Sequence, residues 1–448
     1  MTRAPPTAAA SYTSEEARSV VASLRAAGPA LRSRTSVELV TALGRAGRRF
    51  GDPRDPLRIE AEAALPAEAG FSPQMSSRII DGMAHGWEIG ALERLLRTEF
   101  PDPAVLDEFR PNGLGQELRA FGGTFAFHIG SGNVAGVGAT SIIRSLLVKC
   151  PVLLKPGRGD VVLSRLLVQA IGETDPGLAK AAVVAYWPAG QGGSLESLAL
   201  SEADRVVAYG GNDLIARLRS RLPPTTPLVA YHHRLSIGGV ARESLSSVSR
   251  ATTAARAAAS AVAAFDQRGC VSPQVIWVEK GALVEPLRWA ELLLEQLATL
   301  SATLPAGAVD PASATQFQQL VGTFEVKQAA GGAHRVLGQG LKQGVVFFDP
   351  EPNVGSALTV ACRAVIVKPI PDLSGLPEVL GPVSRVLQTF GLAGPAKRRR
   401  ALANSLANFG LTRVTTFDRQ PWPPAWWRHD GTEPLRALVD WVELEEGD

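Results

Sequence analysis

The chain has 448 residues, 45% of them apolar, and a net charge of only +3. This length exceeds one ordinary core and predicts two domains, and the composition excludes a disordered chain. The small net charge gives no reason to expect a nucleic-acid partner, and no apolar run reaches the length of a membrane span.

Cysteine usage limits the chemistry further. The three cysteines, Cys150, Cys270 and Cys362, are dispersed along the chain. Neither a disulfide framework nor a zinc-binding spacing can be built from them. We therefore expect no metal site and a reducing, cytoplasmic environment.

The first hundred residues predict helices and show no chemistry of their own. Residues 1–14 are rich in Pro and Ala, which predicts a disordered head rather than a signal peptide. From residue 14 to residue 110, apolar residues recur at helical spacing, and Ser36 is the predicted N-cap of one helix.

From about residue 119, strand-like and helix-like segments alternate. The predicted strands are 124–129, 151–155, 181–187, 205–209 and 228–231, with a helix after each of the first four. This alternation predicts a parallel sheet covered on both faces. Ligands of such sheets bind where strands end and helices begin, which selects the loops 130–133, 155–160 and 210–213.

Cys270 is the candidate nucleophile. It lies in the segment Asp266-Gln267-Arg268-Gly269-Cys270-Val271-Ser272-Pro273, between an alanine-rich helix and an apolar strand at 274–278. Behind a glycine turn and beside Arg268, its thiol is placed to be a partly exposed thiolate, the nucleophilic form. The alternative is a small apolar core residue.

The order of the motifs resembles the aldehyde dehydrogenase superfamily and, within it, the LuxC-type acyl-CoA reductases. The wider resemblance rests on Asn133, Lys155-Pro156, Gly211-Asn212, Ile237-Gly238-Gly239 and Cys270, in that order. The narrower resemblance rests on the segment 266–274 and on the ending Pro423-Pro424-Ala425-Trp426-Trp427-Arg428-His429-Asp430-Gly431, in which Arg428 replaces a family histidine. The resemblance covers about residues 115 to 445.

The resemblance implies an aldehyde-dehydrogenase-like α/β fold. Residues 15–240 are expected to form the N-terminal helices and a Rossmann-type parallel-sheet domain that binds the nucleotide. Residues 241–420 are expected to form an α/β catalytic domain that carries Cys270. The tail, 421–448, has three tryptophans within six residues. These large side chains are expected to be buried. We therefore expect the tail to pack on another domain or subunit and the protein to be a homo-oligomer.

The resemblance also assigns the site. Cys270 is the nucleophile, and the Asn133 side-chain amide donates to the developing oxyanion. Considered alone, Asn133 can equally be a left-handed turn residue. The thioester formed on Cys270 is then reduced to an aldehyde.

The remaining site residues are expected at the cofactor. Lys155 is assigned to the adenosine ribose and Arg158 to a ribose 2′-phosphate, which indicates NADPH, with NADH as the alternative. A pair of surface cations is the other interpretation of these two residues. The helix start at Gly211-Asn212 is assigned to the pyrophosphate and Ser131 to the preceding nucleotide-side loop, with Asp213 as a plain helix cap.

Two family residues are absent. Hydrolytic aldehyde dehydrogenases carry a glutamate just before Leu-Gly-Gly as the base for water. Here Ser236 holds that place, and a serine cannot hold a proton at neutral pH. We therefore expect reduction of an acyl-CoA rather than oxidation of an aldehyde to an acid. The superfamily's carboxylate contact to the nicotinamide ribose also has no counterpart in residues 360–364, so we expect the nicotinamide to be placed differently or held more loosely.

The sequence does not identify the acid that protonates the departing groups. By residue type, the candidates are His232, His233 and His429. The expected substrate is a fatty acyl-CoA, and the resemblance implies an acyl-supplying synthetase or transferase as a partner. Two alternatives remain open: an acyl-phosphate reductase of the same superfamily, and a non-catalytic acyl-binding scaffold.

Overall fold

The computed structural model describes residues 12–354 and 362–445. Its helices are α1 (Ser14–Arg32), α2 (Ser36–Arg48), α3 (Pro56–Ala69), α4 (Pro73–Gly86), α5 (Ile89–Glu99), α6 (Val137–Leu147), α7 (Val161–Thr174), α8 (Pro176–Ala179), α9 (Gly193–Glu202), α10 (Asn212–Arg221), α11 (Val248–Ala263), α12 (Pro286–Thr303), α13 (Pro311–Ala329), α14 (Leu376–Leu380) and α15 (Ala396–Leu406). Within this part of the chain, no helix combines the length and the apolar character that crossing a bilayer requires.

The strands alternate with these helices along the chain. They are β1 (Arg110–Pro111), β2 (Gln116–Gly122), β3 (Ala126–Ile129), β4 (Val152–Lys155), β5 (Ala182–Val184), β6 (Arg205–Tyr209), β7 (Leu228–Tyr231), β8 (Leu235–Val240), β9 (Pro273–Glu279), β10 (Arg335–Gly340), β11 (Gly344–Phe348), β12 (Ala364–Ile370), β13 (Leu387–Ala393), β14 (Arg413–Thr415) and β15 (Val439–Glu445).

The chain divides into two compact units. The first comprises Met1–Ala69, Ser76–His232 and Pro424–Asp448, and the second comprises Gly70–Met75 and His233–Pro423. The boundary expected after residue 240 therefore lies at His232, because β8 pairs with β9 and β13 of the second unit. The expected separate tail is part of the first unit from Pro424 onward, because β15 pairs with β2 along its whole length.

The main sheet of the first unit is parallel throughout, in the order β5-β4-β3-β6-β7. This confirms the predicted parallel-sheet domain, and β6 and β7 have the bounds that the sequence predicts. Because the strand order reverses at β3, the carboxyl ends of β4, β3 and β6 lie side by side. The three candidate ligand loops follow these strands.

Two threonines fix the starts of the first two helices. The Thr13 and Thr35 hydroxyls accept from the backbone N–H of a glutamate three residues later, and each glutamate accepts in return from the threonine N–H. Such capping boxes define a helix start. Ser36 is therefore the first helical residue and not the cap. Residues 12–14, predicted as part of a disordered head, lead into α1, and residues 1–11 lie outside the described chain.

The sheet of the second unit has the order β10-β11-β12-β9-β8-β13-β14 and is parallel from β11 onward. Alternate residues of β9 face opposite sides of this sheet. Val275 and Trp277 belong to the core on one side, and Ile276 and Val278 belong to the core on the other. All four are fully buried, which is typical of parallel strands covered on both faces.

The two glycines of β8 allow aromatic rings to lie directly on the strand. A Cβ atom on Gly238 would come within 2.5 Å of the Phe417 ring, and one on Gly239 within 2.7 Å of the Phe390 ring. The Gly-Gly pair is thus required by packing in the second unit. It fixes the strand that begins beside Ser236.

Two tryptophans of the C-terminal stretch find cover within this chain. Trp422 packs on Phe265 in the second unit, with ring centroids 4.8 Å apart. In the first unit, the Arg94 guanidinium carbon lies 4.7 Å from the centre of the Trp426 ring. These contacts account for both side chains without a second subunit. The homo-oligomer stays a prediction.

Candidate active site

The turn that leads to Cys270 has an unusual backbone. After α11, Phe265, Asp266 and Gln267 have φ values of 55°, 48° and 61°. None of them is glycine, and each left-handed residue of this kind costs roughly 1–2 kcal/mol. Such a conformation persists only where its surroundings hold it in place.

A buried ion pair holds the turn. The Arg363 Nε and Nη2 atoms donate to the Asp266 carboxylate at 3.0 and 2.9 Å, and the Gly307 N–H donates to its other oxygen at 3.1 Å. The Arg363 Nη1 atom donates to the Leu304 carbonyl at 2.7 Å. Both charged side chains are buried, with 1% and 0% exposure. Arg363 lies in the segment expected to hold the nicotinamide-ribose carboxylate, of which residues 360 and 361 lie outside the described chain.

A second set of contacts fixes the other side of the turn. The Gln267 Nε2 atom donates to the Pro273 carbonyl at 3.0 Å, and so bridges the loop that contains Cys270. The Arg268 Nη2 atom donates to the Ala308 carbonyl at 2.7 Å, and its guanidinium lies over the Phe71 ring at 4.7 Å. The loop that contains Cys270 is therefore held by bonds on both sides.

Cys270 differs from the other two cysteines in exposure. Its side chain is half-buried, whereas Cys150 and Cys362 are 2% and 3% exposed. Burial raises the pKa of the Cys150 thiol to about 12 and that of the Cys362 thiol to about 11. These two thiols are inert at neutral pH. Cys270 is the thiol that a substrate can reach.

Ser236 is bonded to the backbone of Cys270. Its hydroxyl donates to the Cys270 carbonyl at 2.6 Å and accepts from the Thr389 N–H at 3.3 Å. The side chain is fully buried. The residue at the place of the superfamily's base therefore has a structural role and does not activate water.

A glutamine that sequence reasoning missed contacts the Cys270 sulfur. The Gln388 Nε2 atom lies 3.5 Å from Cys270 Sγ, within hydrogen-bonding distance for sulfur. Gln388 lies on β13, and 118 positions separate the two residues. Nothing in the sequence around Gln388 signals this contact.

In the first unit, glycines bring the loops after β3 and β4 into backbone contact. A Cβ atom on Gly157 would lie 2.2 Å from the Gly132 nitrogen, so only glycine fits there. The Gly130 N–H donates to the Lys155 carbonyl at 2.8 Å. The loop that carries Ser131 and Asn133 is thereby joined to the loop that carries Lys155 and Arg158.

Carboxylates occupy two of the three helix starts that follow these strands. Asp160 accepts from the N–H groups of Gly136 and Gly138 at the start of α6, both at 2.6 Å. Glu68 accepts from the first two N–H groups of α7 at 2.8 and 3.1 Å. Burial raises the pKa of Asp160 well above its ordinary value. The starts of α6 and α7 are thus not open to a phosphate.

The start of α10 remains free of a side-chain cap. Its N-cap is Gly211, without a side-chain hydrogen bond, and Asp213 lies in the first turn. The expectation that Asp213 caps this helix is therefore wrong, because the N-cap lies two residues before it and Asp213 is the second helical residue. Gly211 and Asn212 are exposed. The unfilled N–H groups at this helix start suit a diphosphate.

The two predicted cofactor cations have different surroundings. Lys155 is half-buried, and this burial lowers the pKa of its ammonium. Arg158 is exposed, and it forms no ion pair within residues 12–354 and 362–445. Both lie at the carboxyl edge of the sheet, where a nucleotide can meet them.

Of the candidate acids, His429 lies in an aromatic stack of the first unit. Its ring lies 4.4 Å from the Trp427 ring and 4.3 Å from the Tyr231 ring. Tyr231 in turn stacks on Tyr209 at 4.6 Å. His232 and His233 lie at the division between the units. Nothing in this arrangement identifies the general acid, which stays a prediction.

The half-buried carboxyl of Glu68 at the start of α7 yields a pH-dependent prediction. Burial raises the pKa of Glu68 from 4.5 to about 7. The folded state thus binds this proton more tightly than the unfolded state, and stability falls as the pH rises from about 4.5 to 7. Glu68→Gln keeps an acceptor oxygen and cannot ionise. We expect the free energy of unfolding of Glu68→Gln to be closest to that of the wild type near pH 5. At pH 8 it should be larger than that of the wild type by up to about 3 kcal/mol.

Denaturant unfolding at both pH values measures this difference. The exposed Glu93→Gln is the matched control, for which we expect no pH-dependent change. If the difference in free energy of unfolding between Glu68→Gln and the wild type stays constant between pH 5 and pH 8, the raised pKa of Glu68 is contradicted.

Comparison with known proteins places these features in a family. Residues 35–441 match the family model described as acyl-CoA reductase (LuxC). The chain is 25% identical over 368 residues to the long-chain acyl-protein thioester reductase of Photorhabdus laumondii subsp. laumondii, an alignment that covers 80% of this chain and 71% of that protein. It is also 25% identical over 368 residues to the enzyme of the same name from Aliivibrio fischeri, with 79% and 71% covered.

Solved structures agree on the fold. The benzaldehyde dehydrogenase of Corynebacterium glutamicum superposes with a TM-score of 0.70 at 14% identity, over 97% of this chain and 91% of that one. The Delta-pyrroline-5-carboxylate dehydrogenase of Mycobacterium tuberculosis gives a TM-score of 0.72 at 14% identity, with 97% and 83% covered. At this identity the likeness shows the aldehyde dehydrogenase fold. The chain belongs to the LuxC family of acyl-CoA reductases, which are acyl-group reductases built on the aldehyde dehydrogenase fold.

Proposed function

We propose that this protein reduces a fatty acyl-CoA to the aldehyde with NADPH, through an acyl thioester on Cys270. The observation that carries the proposal is the nucleophile turn. It presents a half-exposed thiol, and the hydroxyl of Ser236 is bonded to the Cys270 carbonyl at 2.6 Å where hydrolytic relatives place a base.

The chemistry begins at sulfur. The Cys270 thiolate attacks the acyl carbonyl carbon, the bond from that carbon to the CoA sulfur breaks, and CoA leaves with the electron pair and then takes up a proton. Asn133, together with the Cys270 backbone N–H, donates to the oxyanion, an arrangement worth about 3–4 kcal/mol.

A bound nicotinamide nucleotide supplies the hydride for the second half-reaction. Reduction of the thioester carbon would leave a hemithioacetal oxyanion on Cys270. The electron pair of that oxygen then re-forms the carbonyl as the C–S bond breaks, which releases the aldehyde and leaves the C–S electron pair on the Cys270 sulfur as the thiolate.

Residues of the first unit suit the nucleotide. The uncapped start of α10, at Gly211 and Asn212, offers N–H groups to the diphosphate. Lys155 serves the adenosine ribose and Arg158 a 2′-phosphate, and Ser131 belongs to the loop joined to theirs.

The direction toward aldehyde follows from the missing base. Water attacks a thioester rapidly only when a nearby group takes its proton. Ser236 is buried and already bonded, so it cannot do so. The acyl group therefore stays on Cys270 until reduction.

The acyl donor is a thioester, whose carrier is either CoA or a protein. The relatives from Photorhabdus and Aliivibrio are named acyl-protein thioester reductases. We propose acyl-CoA as the substrate and an acyl-supplying synthetase or transferase as a partner. The attack of Cys270 is the same for either carrier.

A substrate panel tests the proposal. NADPH and NADH consumption is measured with acyl-CoAs of graded chain length, with an acylated protein thioester and with an acyl phosphate. We expect turnover with long-chain thioesters and NADPH. Turnover with the acyl phosphate alone would establish the acyl-phosphate reductase, and no turnover with any donor would favour the acyl-binding scaffold.

The preference for NADPH yields a separate prediction. Arg158→Ala should raise the KM for NADPH about 10- to 100-fold and leave that for NADH nearly unchanged, because a charge-assisted bond to the 2′-phosphate is lost. Steady-state kinetics with both nucleotides measure this. The exposed Arg97→Ala serves as the control for loss of a positive charge. An equal rise for both nucleotides would place Arg158 away from the 2′-phosphate.

A further inference from the structure

The contact between Gln388 and Cys270 has no counterpart among the roles assigned above. Gln388 is fully buried, and its side-chain nitrogen lies 3.5 Å from the Cys270 sulfur. Its backbone carbonyl accepts from the Thr412 N–H at 3.0 Å and from the Thr412 hydroxyl at 3.2 Å. The strand that carries Gln388 is therefore fixed, and the amide is held against the sulfur.

A primary amide at this place has a specific chemical consequence. It offers N–H donors to a thiolate and stabilises the charged form over the thiol. An amide oxygen cannot take a proton from water at neutral pH, whereas a carboxylate of the same shape can. Gln388 thus provides hydrogen bonding to the nucleophile without providing a base.

Ser236 and Gln388 are two neutral side chains that bond to Cys270, one at its carbonyl and one at its sulfur. The Ser236 hydroxyl is bonded to the Cys270 carbonyl at 2.6 Å, and the Thr389 N–H, next to Gln388, donates to that hydroxyl at 3.3 Å. Two adjacent residues of β13 therefore contact the Cys270 sulfur and the Ser236 hydroxyl that is bonded to the Cys270 carbonyl.

We propose that Gln388 is a catalytic residue that donates its side-chain N–H to the Cys270 thiolate. This inference rests on the proposed function for its role in turnover. The bond increases the ionised fraction of Cys270 before attack. When the hemithioacetal oxyanion breaks down, its carbonyl re-forms, the C–S electron pair moves to sulfur, and the thiolate that forms accepts the Gln388 N–H.

The test is the pH dependence of Cys270 alkylation by iodoacetamide, followed on the Cys270 peptide by mass spectrometry. Gln388→Leu removes the donor with little change in size, and Gln388→Glu keeps the shape and replaces the donor with a negative charge. We expect the midpoint of the rate profile to move upward by about one pH unit in Gln388→Leu, and at least as far in Gln388→Glu. The kcat/KM of Gln388→Leu at pH 7 should fall about tenfold and recover toward the wild-type value at higher pH.

The control is Gln420→Leu, which removes another fully buried amide of the second unit, bonded to the Ile237 carbonyl at 3.2 Å. Its midpoint should equal that of the wild type. An unchanged midpoint in both Gln388 variants would overturn the inference, and so would an equal shift in Gln420→Leu. Alkylation needs no acyl substrate, so a wild type that reduces no acyl donor but shows these shifts would refute the proposed function alone.

Discussion

Cys270→Ala should lower aldehyde formation at least about a thousandfold, because the variant has no atom on which the acyl group can be carried. The other two cysteines cannot replace Cys270. Cys150 and Cys362 are buried, and burial raises the pKa of their thiols to about 12 and about 11. The measurement is NADPH oxidation with a long-chain acyl-CoA, together with mass spectrometry of the acylated protein.

Cys150→Ala is the matched control for the loss of a thiol. It should retain turnover close to that of the wild type. Labelled acyl-protein recovered from Cys270→Ala would remove Cys270 from the mechanism. Thermal unfolding of both variants checks that they are folded.

The second large effect is expected at the ion pair that holds the nucleophile turn. Arg363→Met leaves the Asp266 carboxylate buried with 1% exposure and without its cation. Removing one partner of a buried pair costs about 3–5 kcal/mol. The turn also loses the contacts that hold its left-handed residues. We expect the free energy of unfolding of the second unit to fall by about 3–5 kcal/mol. We also expect the alkylation of Cys270 to become slower.

Two variants separate charge from packing in this prediction. The double variant Asp266→Asn with Arg363→Met removes both charges, so it should recover part of the stability lost in Arg363→Met. The exposed Arg288→Met breaks an ion pair with Glu291 at the surface, which should cost less than about 1 kcal/mol. Equal losses in Arg363→Met and Arg288→Met would show that the buried pair does not hold the turn.

Local signals in the sequence predict much of the first unit. The strands β6 and β7 have the predicted bounds, and α10 starts at the predicted Asn212. Each of these features is determined by neighbours within a few positions. For the same reason the alanine-rich helix before Cys270 and the strand after it were predictable.

Long-range pairing accounts for what the sequence could not reveal. The strand β15 pairs with β2, more than three hundred positions earlier in the chain, so the tail could not be placed in the first unit. Asp266 and Arg363 lie 97 positions apart. The Gln388 contact with Cys270 spans 118 positions. Periodicity and propensity report on neighbours and carry no information about such pairs.

Competition between nearby caps explains the smaller errors. Ser36 and Asp213 are both good cap residues, yet Thr35 with Glu38 forms a capping box one residue earlier, and Gly211 occupies the N-cap of α10. Residue preference alone does not decide between adjacent candidates. Backbone geometry decides it.

The most direct test of the central claim is the mass of the wild-type protein after mixing with a long-chain acyl-CoA in the absence of nucleotide. We predict one acyl group on the Cys270 peptide, stable to water, that leaves as aldehyde when NADPH is added. The account would be contradicted if no acyl group were found on the Cys270 peptide. It would also be contradicted if the acyl group left as free fatty acid at the same rate with and without NADPH.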